Sequence, residues 1–337
     1  MLTLSNGHQF TVATAAGALG FDGRGYSWEK YALIPLGVIN PKLFTIITKT
    51  FTLMPRKGNM RWWRPCVWPF GLGGGAVNQM GLPNPGICWL VERHRRGLFP
   101  VPDLPTIVSI TPETPGDAEA MAAMLDKMKD IKGIEINVSC PNVTDKYIQG
   151  RMPEDVRLAC ILDDKISHVR KLLRMVKSET DHPVGVKLGY TDPYREICEE
   201  LDGEADWFDL INTIPWKTIF PDKKTPLRWQ GLDAGGVSGP AIRASAWAAL
   251  YDVTLDADRR PRPRRTPIIS GGGVGDAEDG CARLRAGAAA VTIGTMFLTR
   301  PWRVNGIARG IIEGEKNAQR TPDASPTPPP PTLYTPG

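Results

Sequence analysis

Eight short runs rich in β-branched and other apolar residues recur along the chain, and longer segments between them repeat apolar positions every three or four residues. The runs are Thr11–Ala16, Thr45–Thr50, Thr106–Ile110, Gly133–Val138, Val184–Leu188, Phe208–Thr213, Pro267–Ser270 and Ala289–Ile293. Several are continuously apolar rather than alternating, as in strands covered on both faces of a parallel sheet. Asp117–Asp130, Ile166–Ser178, Pro240–Tyr251 and Asp276–Ala286 read as amphipathic helices, with Asp117 and Asp276 the expected N-caps. Eight strands with helical crossovers predict an α/β fold, a (β/α)8 TIM barrel. A doubly wound open sheet usually carries Gly-x-Gly-x-x-Gly after its first strand, and Ala15-Ala16-Gly17-Ala18 does not supply it.

Two stretches break the alternation and read as long inserts at the C-terminal face, where excursions serve as lids or pocket walls. Phe51–Leu104 holds five glycines within Gly71–Gly81 and four tryptophans within Trp62–Trp89, and Pro215–Gly235 carries three lysines and an arginine. The proline-rich end cannot form a helix or a central strand. The expected organisation is therefore a barrel over residues 1–315 and a disordered Pro-rich tail over 316–337.

Composition narrows the class. The chain has 337 residues, 42% hydrophobic and 23% charged, with net charge +5. It can bury a core, and no apolar run is long enough for a membrane helix. The start MLTLSNGHQF lacks the basic and apolar halves of a signal peptide, so a cytoplasmic location is expected. The six cysteines form no C-x-x-C pair, against a zinc ribbon, an iron–sulfur framework or a disulfide scaffold. Five arginines between Arg259 and Arg265 have no aromatics among them, so they read as a solvated loop rather than a nucleic-acid patch. No membrane or nucleic-acid partner is expected.

Barrel enzymes carry their chemistry at the C-terminal ends of the strands. Gly17, Lys49, Asn137, Cys140, Lys187, Asn212 and Thr213 fall at those positions, with Gly271-Gly272-Gly273 after the seventh run and Gly294-Thr295 after the eighth. Glycines let backbone N–H groups approach a phosphate, and the turns after strands seven and eight are its recurring barrel site. The bland alternative is a pair of tight strand-to-helix turns. Lys49 and Lys187 must either face the barrel mouth, opposite an anionic ligand or reduced cofactor, or pair with a carboxylate. Cys140, between two asparagines, is a candidate base, whereas Cys66, Cys160, Cys198 and Cys281 read as small buried hydrophobes. None of the four histidines ends a strand, which leaves no histidine triad or metal site.

Glu135-Ile-Asn-Val-Ser-Cys-Pro-Asn142 resembles the catalytic-strand motif of the dihydroorotate dehydrogenases. Further blocks resemble the same family in the same order: Ala15-Ala16-Gly17, Lys49-Thr-Phe-Thr52 with Gly58-Asn59, Asn78-Gln-Met-Gly-Leu-Pro-Asn84, Val186-Lys187-Leu188, Asn212-Thr213, Gly235-Gly-Val-Ser-Gly239, and the last two glycine turns. The resemblance implies FMN-dependent oxidation of (S)-dihydroorotate to orotate in pyrimidine biosynthesis. It assigns the FMN phosphate to Gly272, Gly273, Gly294 and Thr295, with Ser238 and Gly239 nearby, and the rest of the flavin to Ala16, Gly17, Lys49, Thr50, Asn137 and Lys187. Substrate would meet Lys49, Asn78, Met80, Gly81, Leu82, Asn142, Asn212 and Thr213, while Cys140 takes the C5 proton and flavin N5 the C6 hydride. Cysteine at 140, the Lys-Thr-x-Thr block and the absence of preceding helices resemble the soluble class 1 type. The resemblance further implies a homodimer, with an FAD and iron–sulfur electron-transfer subunit if NAD is the acceptor.

Three departures flank the substrate side: the long stretch Trp28–Phe44, Trp62–Cys66, and Pro215-Trp216, where Trp216 either narrows the mouth or folds outward. Two alternatives stay open, an FMN barrel acting on another dihydropyrimidine-like ring and a non-catalytic FMN- or phosphate-binding protein.

Overall fold

The computed structural model describes residues 1–60, 65–71, 75–138, 165–232, 234–255 and 261–320. Eight parallel strands form a ring: β1 (Val12–Thr14), β2 (Ile46–Ile47), β3 (Thr106–Ile110), β4 (Gly133–Asn137), β5 (Val184–Leu188), β6 (Trp207–Leu210), β7 (Ile268–Ser270) and β8 (Ala290–Ile293). Each falls on one of the eight predicted runs, β6 starting a residue early. Neighbours pair in sequence order, and β8 returns to β1. A parallel bridge between Ala13 and Thr45 closes the ring, with the Thr14 N–H donating to the Thr45 carbonyl at 2.9 Å. This is the TIM barrel.

All residues of β3, β4 and β5 are buried, because alternate side chains enter two different cores. Val108, Ile134, Val186 and Phe208 face outward to helix residues such as Met121, Leu125, Leu172 and Val176. Ile107, Trp207, Ile269 and Ala290 belong to a separate cluster with Leu2, Leu4 and Phe10 of an N-terminal hairpin, Leu2–Thr3 against Gln9–Phe10. That hairpin plugs the barrel.

The outer helices are α1 (Ile87–Arg95), α2 (Pro115–Asp126), α3 (Lys165–Ser178), α4 (Tyr194–Glu200), α5 (Arg243–Thr254), α6 (Ala277–Arg285) and α7 (Val304–Arg320). Asp276 caps α6 as expected, accepting from the Asp279 N–H at 2.8 Å. Asp117 does not cap α2. Thr114 is the N-cap, its hydroxyl oxygen accepting from the Asp117 N–H at 3.1 Å, while the Asp117 carboxylate reaches back to the Glu113 N–H. Pro115 explains the difference, since proline favours the first helical position and pushes the cap one residue upstream. The segment expected as a helix from Pro240 opens with a tight turn, Pro240–Ile242, before α5 begins. Helix α7 runs five residues past the boundary read at 315, and residues 321–337 lie outside the described set. No described helix is long and apolar enough to cross a membrane.

Of the described arginines in that stretch, Arg265 is exposed as expected, whereas Arg262 and Arg264 are half-buried and tied down. The Arg264 side chain donates to the carbonyls of Val253 and Cys198, and Arg262 meets Glu199 at 2.6 Å, joining α4 to α5. The two long inserts share one antiparallel sheet, ordered Ile214–Pro215, Gly236–Ser238, Gly75–Asn78, Val67–Phe70. Its central pairing sets Ser238 opposite Ala76 and Gly236 opposite Asn78, which roofs the barrel mouth.

His8 in the basal hairpin lies 3.0 Å from the hydroxyl of Thr45, the ring-closing residue, and stacks on Phe10. Burial, with a smaller effect from Lys132, lowers its pKa from 6.5 to about 4. The folded value lies below the unfolded one, so this contribution is complete above pH 6.5 and is lost as pH falls toward 4. His8→Gln should remove about 1–2 kcal/mol of acid-induced destabilisation in that window, allowing for solvent screening at a half-exposed ring. Melting curves of both proteins from about pH 7 to about pH 4 check this.

Candidate active site

A cavity of about 870 Å³ lies between the C-terminal ends of the strands and the insert sheet. Strand ends place Ala16 and Gly17 after β1, Lys49 and Thr50 after β2, Asn137 on β4 and Lys187 on β5 along its wall. Asn212 and Thr213 follow β6, Gly272 and Gly273 follow β7, and Gly294 and Thr295 follow β8. The roof adds Ser238, Gly239 and Asn78, with Met80 and Leu82 just beyond. Gly81 is not on this wall. With φ +71 it turns the chain between Met80 and Leu82, where a Cβ would come within 3.2 Å of Asn59 Nδ2. Cys140 and Asn142 lie outside the described residues.

Hydrogen bonds link the floor into one network. Asn137 Nδ2 donates to Thr50 Oγ1 at 3.2 Å, and the Thr50 and Ser109 hydroxyls lie 3.0 Å apart. Ser109 donates to Glu135 Oε1 at 2.9 Å, and Asn212 Nδ2 reaches Asn137 Oδ1 at 3.5 Å. Lys187 satisfies both readings of a strand-end lysine: it lines the cavity while its Nζ lies 2.9 Å from Asp209 Oδ2. Lys49 Nζ lies 3.8 Å from Met80 Sδ. Asn84 braces the segment behind Leu82, donating to the Leu82 carbonyl at 2.9 Å and accepting from the Thr52 and Gly86 N–H groups.

The glycine turn after β7 owes its shape to a residue that looks ordinary in sequence. Gly272 and Gly273 have φ +84 and +81, and a Cβ on either would come within 2.9 Å of Ala246 or Arg243. Arg283 on α6, fully buried, donates to the Gly271 and Gly272 carbonyls at 2.9 Å each and to Ser270 Oγ at 3.0 Å. Its charge is met by Asp279, which also accepts from Arg243 and Trp247. Turning these carbonyls toward Arg283 leaves the turn's N–H groups for the cavity side.

Sequence reasoning missed part of the wall. Tyr26, Trp28 and Glu29 reach the cavity from the long segment after β1, and Cys66 from the first insert. Tyr26 Oη donates to the Gly17 carbonyl at 3.1 Å, and Glu29 accepts from the Tyr26 N–H at 2.8 Å. Burial lifts the Glu29 carboxyl to about 7, opposed by that N–H. The Cys66 thiol is also raised by burial, opposed by its own backbone N–H and by Lys49. The signal available was a glutamate within the aromatic run Tyr26–Tyr31 directly after a strand-end glycine loop. Trp216 folds away from the cavity, its ring against Phe70 and Phe220 and its indole N–H on the Lys223 carbonyl.

Arg283→Met keeps the bulk but strands Asp279 and two turn carbonyls in a dry interior. A loss of about 3–5 kcal/mol in stability is expected, measurable by chemical denaturation. A change below about 0.5 kcal/mol would show that the turn holds itself.

The dihydroorotate dehydrogenase family model matches residues 8–314. The chain is 32% identical over 305 residues to a protein of Desulforamulus reducens named dihydroorotate dehydrogenase B (NAD(+)), catalytic subunit, covering 89% of this chain and 88% of that one. It is 34% identical over 293 residues to the protein of the same name from Thermoanaerobacter pseudethanolicus, covering 86% and 84%. The fold matches a crystal structure of the Eimeria tenella enzyme in complex with ferulenol, with TM-score 0.65 and 18% identity over 94% of this chain and 83% of that one. With the family model spanning the barrel from the basal hairpin to α7, and relatives above 30% identity along most of its length, the chain belongs to the dihydroorotate dehydrogenase family, in its class 1 branch.

Proposed function

We propose that this chain oxidises (S)-dihydroorotate to orotate with FMN held in the barrel-mouth cavity. One observation carries the reading: every described residue that the family resemblance assigns to flavin contact lines a single cavity, of a size suited to a nucleotide cofactor.

The donor set fits that group. The turn of Gly272 and Gly273, held by Arg283, and the turn of Gly294 and Thr295 line the cavity, and a Cβ on any of these three glycines would crowd its neighbours at 2.9 Å; these residues would hold the phosphate through backbone N–H groups, with Ser238 and Gly239 beside them. Ala16, Gly17, Lys49, Thr50, Asn137 and Lys187 would hold the ring system and ribityl chain. Bound there, FMN would supply a two-electron acceptor for the hydride lost from substrate C6.

The chain's own residues do the rest. Lys49, Asn78, Met80, Leu82, Asn142, Asn212 and Thr213 would orient the substrate, and Gly81 would shape that segment from behind. The Lys49 ammonium offsets the substrate's negative charge, and the asparagine amides match ring carbonyls and N–H groups. Cys140, which the family resemblance assigns as the base, would take the C5 proton as a thiolate. The roof of paired inserts covers one side of the cavity and would limit water at the reacting face. Because its relatives are named NAD(+)-type catalytic subunits, we read the final acceptor as NAD, reached through a separate FAD and iron–sulfur electron-transfer subunit.

The purified protein should be yellow, and anaerobic addition of dihydroorotate should bleach it. A yellow protein that stays yellow would move the substrate elsewhere, and a colourless one that takes up no FMN overturns the assignment. Cys140→Ala should keep the colour while slowing bleaching by about 10²–10⁴-fold; unchanged bleaching would remove Cys140 as the base.

A further inference from the structure

The function proposed above leaves two buried charges inside the barrel without a task. Strand register puts Asn137, Lys187 and Asp209 abreast on β4, β5 and β6, with Glu135 one layer deeper beside Ser109 and opposite Gly185. Glu135 and Asp209 are fully buried and Lys187 nearly so. Ser109 satisfies Glu135 Oε1, and Lys187 satisfies Asp209 Oδ2. The other oxygen of each carboxyl, Glu135 Oε2 and Asp209 Oδ1, is buried with no hydrogen-bond donor among the described residues. The two carboxyls bear on each other directly, yet no donor stands between them. What the geometry lacks is a proton.

Charge counting leads to the same place. Two carboxylates and one ammonium would leave a net negative charge in an interior sealed from below, where the Trp207 ring lies hard against Gly185 and packs on the basal hairpin. Such a charge is costly in a dry interior unless it is neutralised. The groups acting on Glu135 come from three strands: Lys187 on β5, Asp209 on β6 and the Ser109 hydroxyl on β3. We propose that Glu135 keeps its proton and donates it in a hydrogen bond to the Asp209 carboxylate, and that this proton positions the Lys187 ammonium by leaving it a single carboxylate to face. Burial is the main force holding the proton, lifting the Glu135 carboxyl to about 8; Lys187 opposes it and the Asp209 carboxylate reinforces it.

Two consequences follow at the cavity wall, the second resting on the flavin reading. While the proton is present, the Lys187 charge extends to the cavity. Once it leaves, two carboxylates draw that charge inward, and the wall becomes less hospitable to added electrons. Reduction of the bound cofactor near pH 8 should therefore be accompanied by proton uptake from solvent onto Glu135.

Infrared spectroscopy of the full chain without cofactor tests the proton itself. In a Glu29→Gln background, which removes the other carboxyl lifted toward neutral, a carboxylic-acid carbonyl band should be present near neutral pH, fade as pH passes about 8, and be missing once Glu135→Gln is added. The folded pKa lies above the unfolded 4.5, so the protonated group's stabilisation is whole below pH 4.5 and lost as pH rises to about 8. The wild type should melt progressively below Glu135→Gln across that window. In flavin-loaded protein, the midpoint potential should fall more steeply with pH around 8 in the wild type than in Glu135→Gln or Asp209→Asn. Absence of the acid band overturns the proposal whether or not any variant folds. An acid band with parallel potential curves overturns the link to Lys187, and a protein that binds no flavin defeats the flavin reading while the infrared result still decides the proton.

Discussion

A closed parallel barrel has neither an edge nor a wet face, so a polar group that enters it must find its partner inside. Nearly everything about this site descends from that constraint. The lowest interior level is apolar, with Trp207, Ile107, Ile269 and Ala290 sealed by the basal hairpin. Above it the chain admits Glu135, Ser109, Lys187 and Asp209 only as an interlocked set. Above that come the asparagines, lysines and bare glycine N–H groups of the cavity. Polarity rises from bottom to top, and each layer is anchored by the one beneath it. A site built this way is organised before any ligand arrives, which is where electrostatic catalysis draws its advantage.

The same constraint explains what could be read from the chain. Residues buried on both faces leave short apolar runs, several of them continuous, and such runs marked all eight strands. Glycines and lysines ending such runs have few structural uses, so they pointed to the mouth. Long-range pairings leave no such mark. Nothing local in Gly75–Asn78 announces Gly236–Ser238 as its partner, because the ladder is written in backbone atoms that every residue carries. Arg283 is equally silent: within Ala277–Arg285 it looks like any basic residue on a helix, and only the tertiary fold turns it beneath the β7 glycines. Glu135 was a sign in plain view, a carboxylate in the middle of an apolar strand. Its partners on β5 and β6 come from segments about 50 and 70 residues away in sequence.

Placement of Thr114 rather than Asp117 at the start of α2 is a smaller instance of the same kind. Both residues have capping side chains, and the choice falls to Pro115, whose geometry suits the first helical turn. Gly81 is another, a family-motif residue whose task is to turn the chain so that its neighbours Met80 and Leu82 reach the cavity. Motif membership and cavity contact are different properties. A motif can be held together by the backbone shape it needs as much as by what it touches.

The interlocked roof also dates the site in the life of the molecule. Its strands come from chain segments about 160 residues apart, and the last glycine turn arrives later still, at Gly294. During synthesis from the N-terminus, the emerging barrel has a floor and half a wall long before it has a ceiling. A cofactor meeting the nascent chain would find lysines and asparagines but nothing to keep it there. On the flavin reading, retention would require the segment through Gly294 to have folded back, so loading would follow its synthesis rather than precede it.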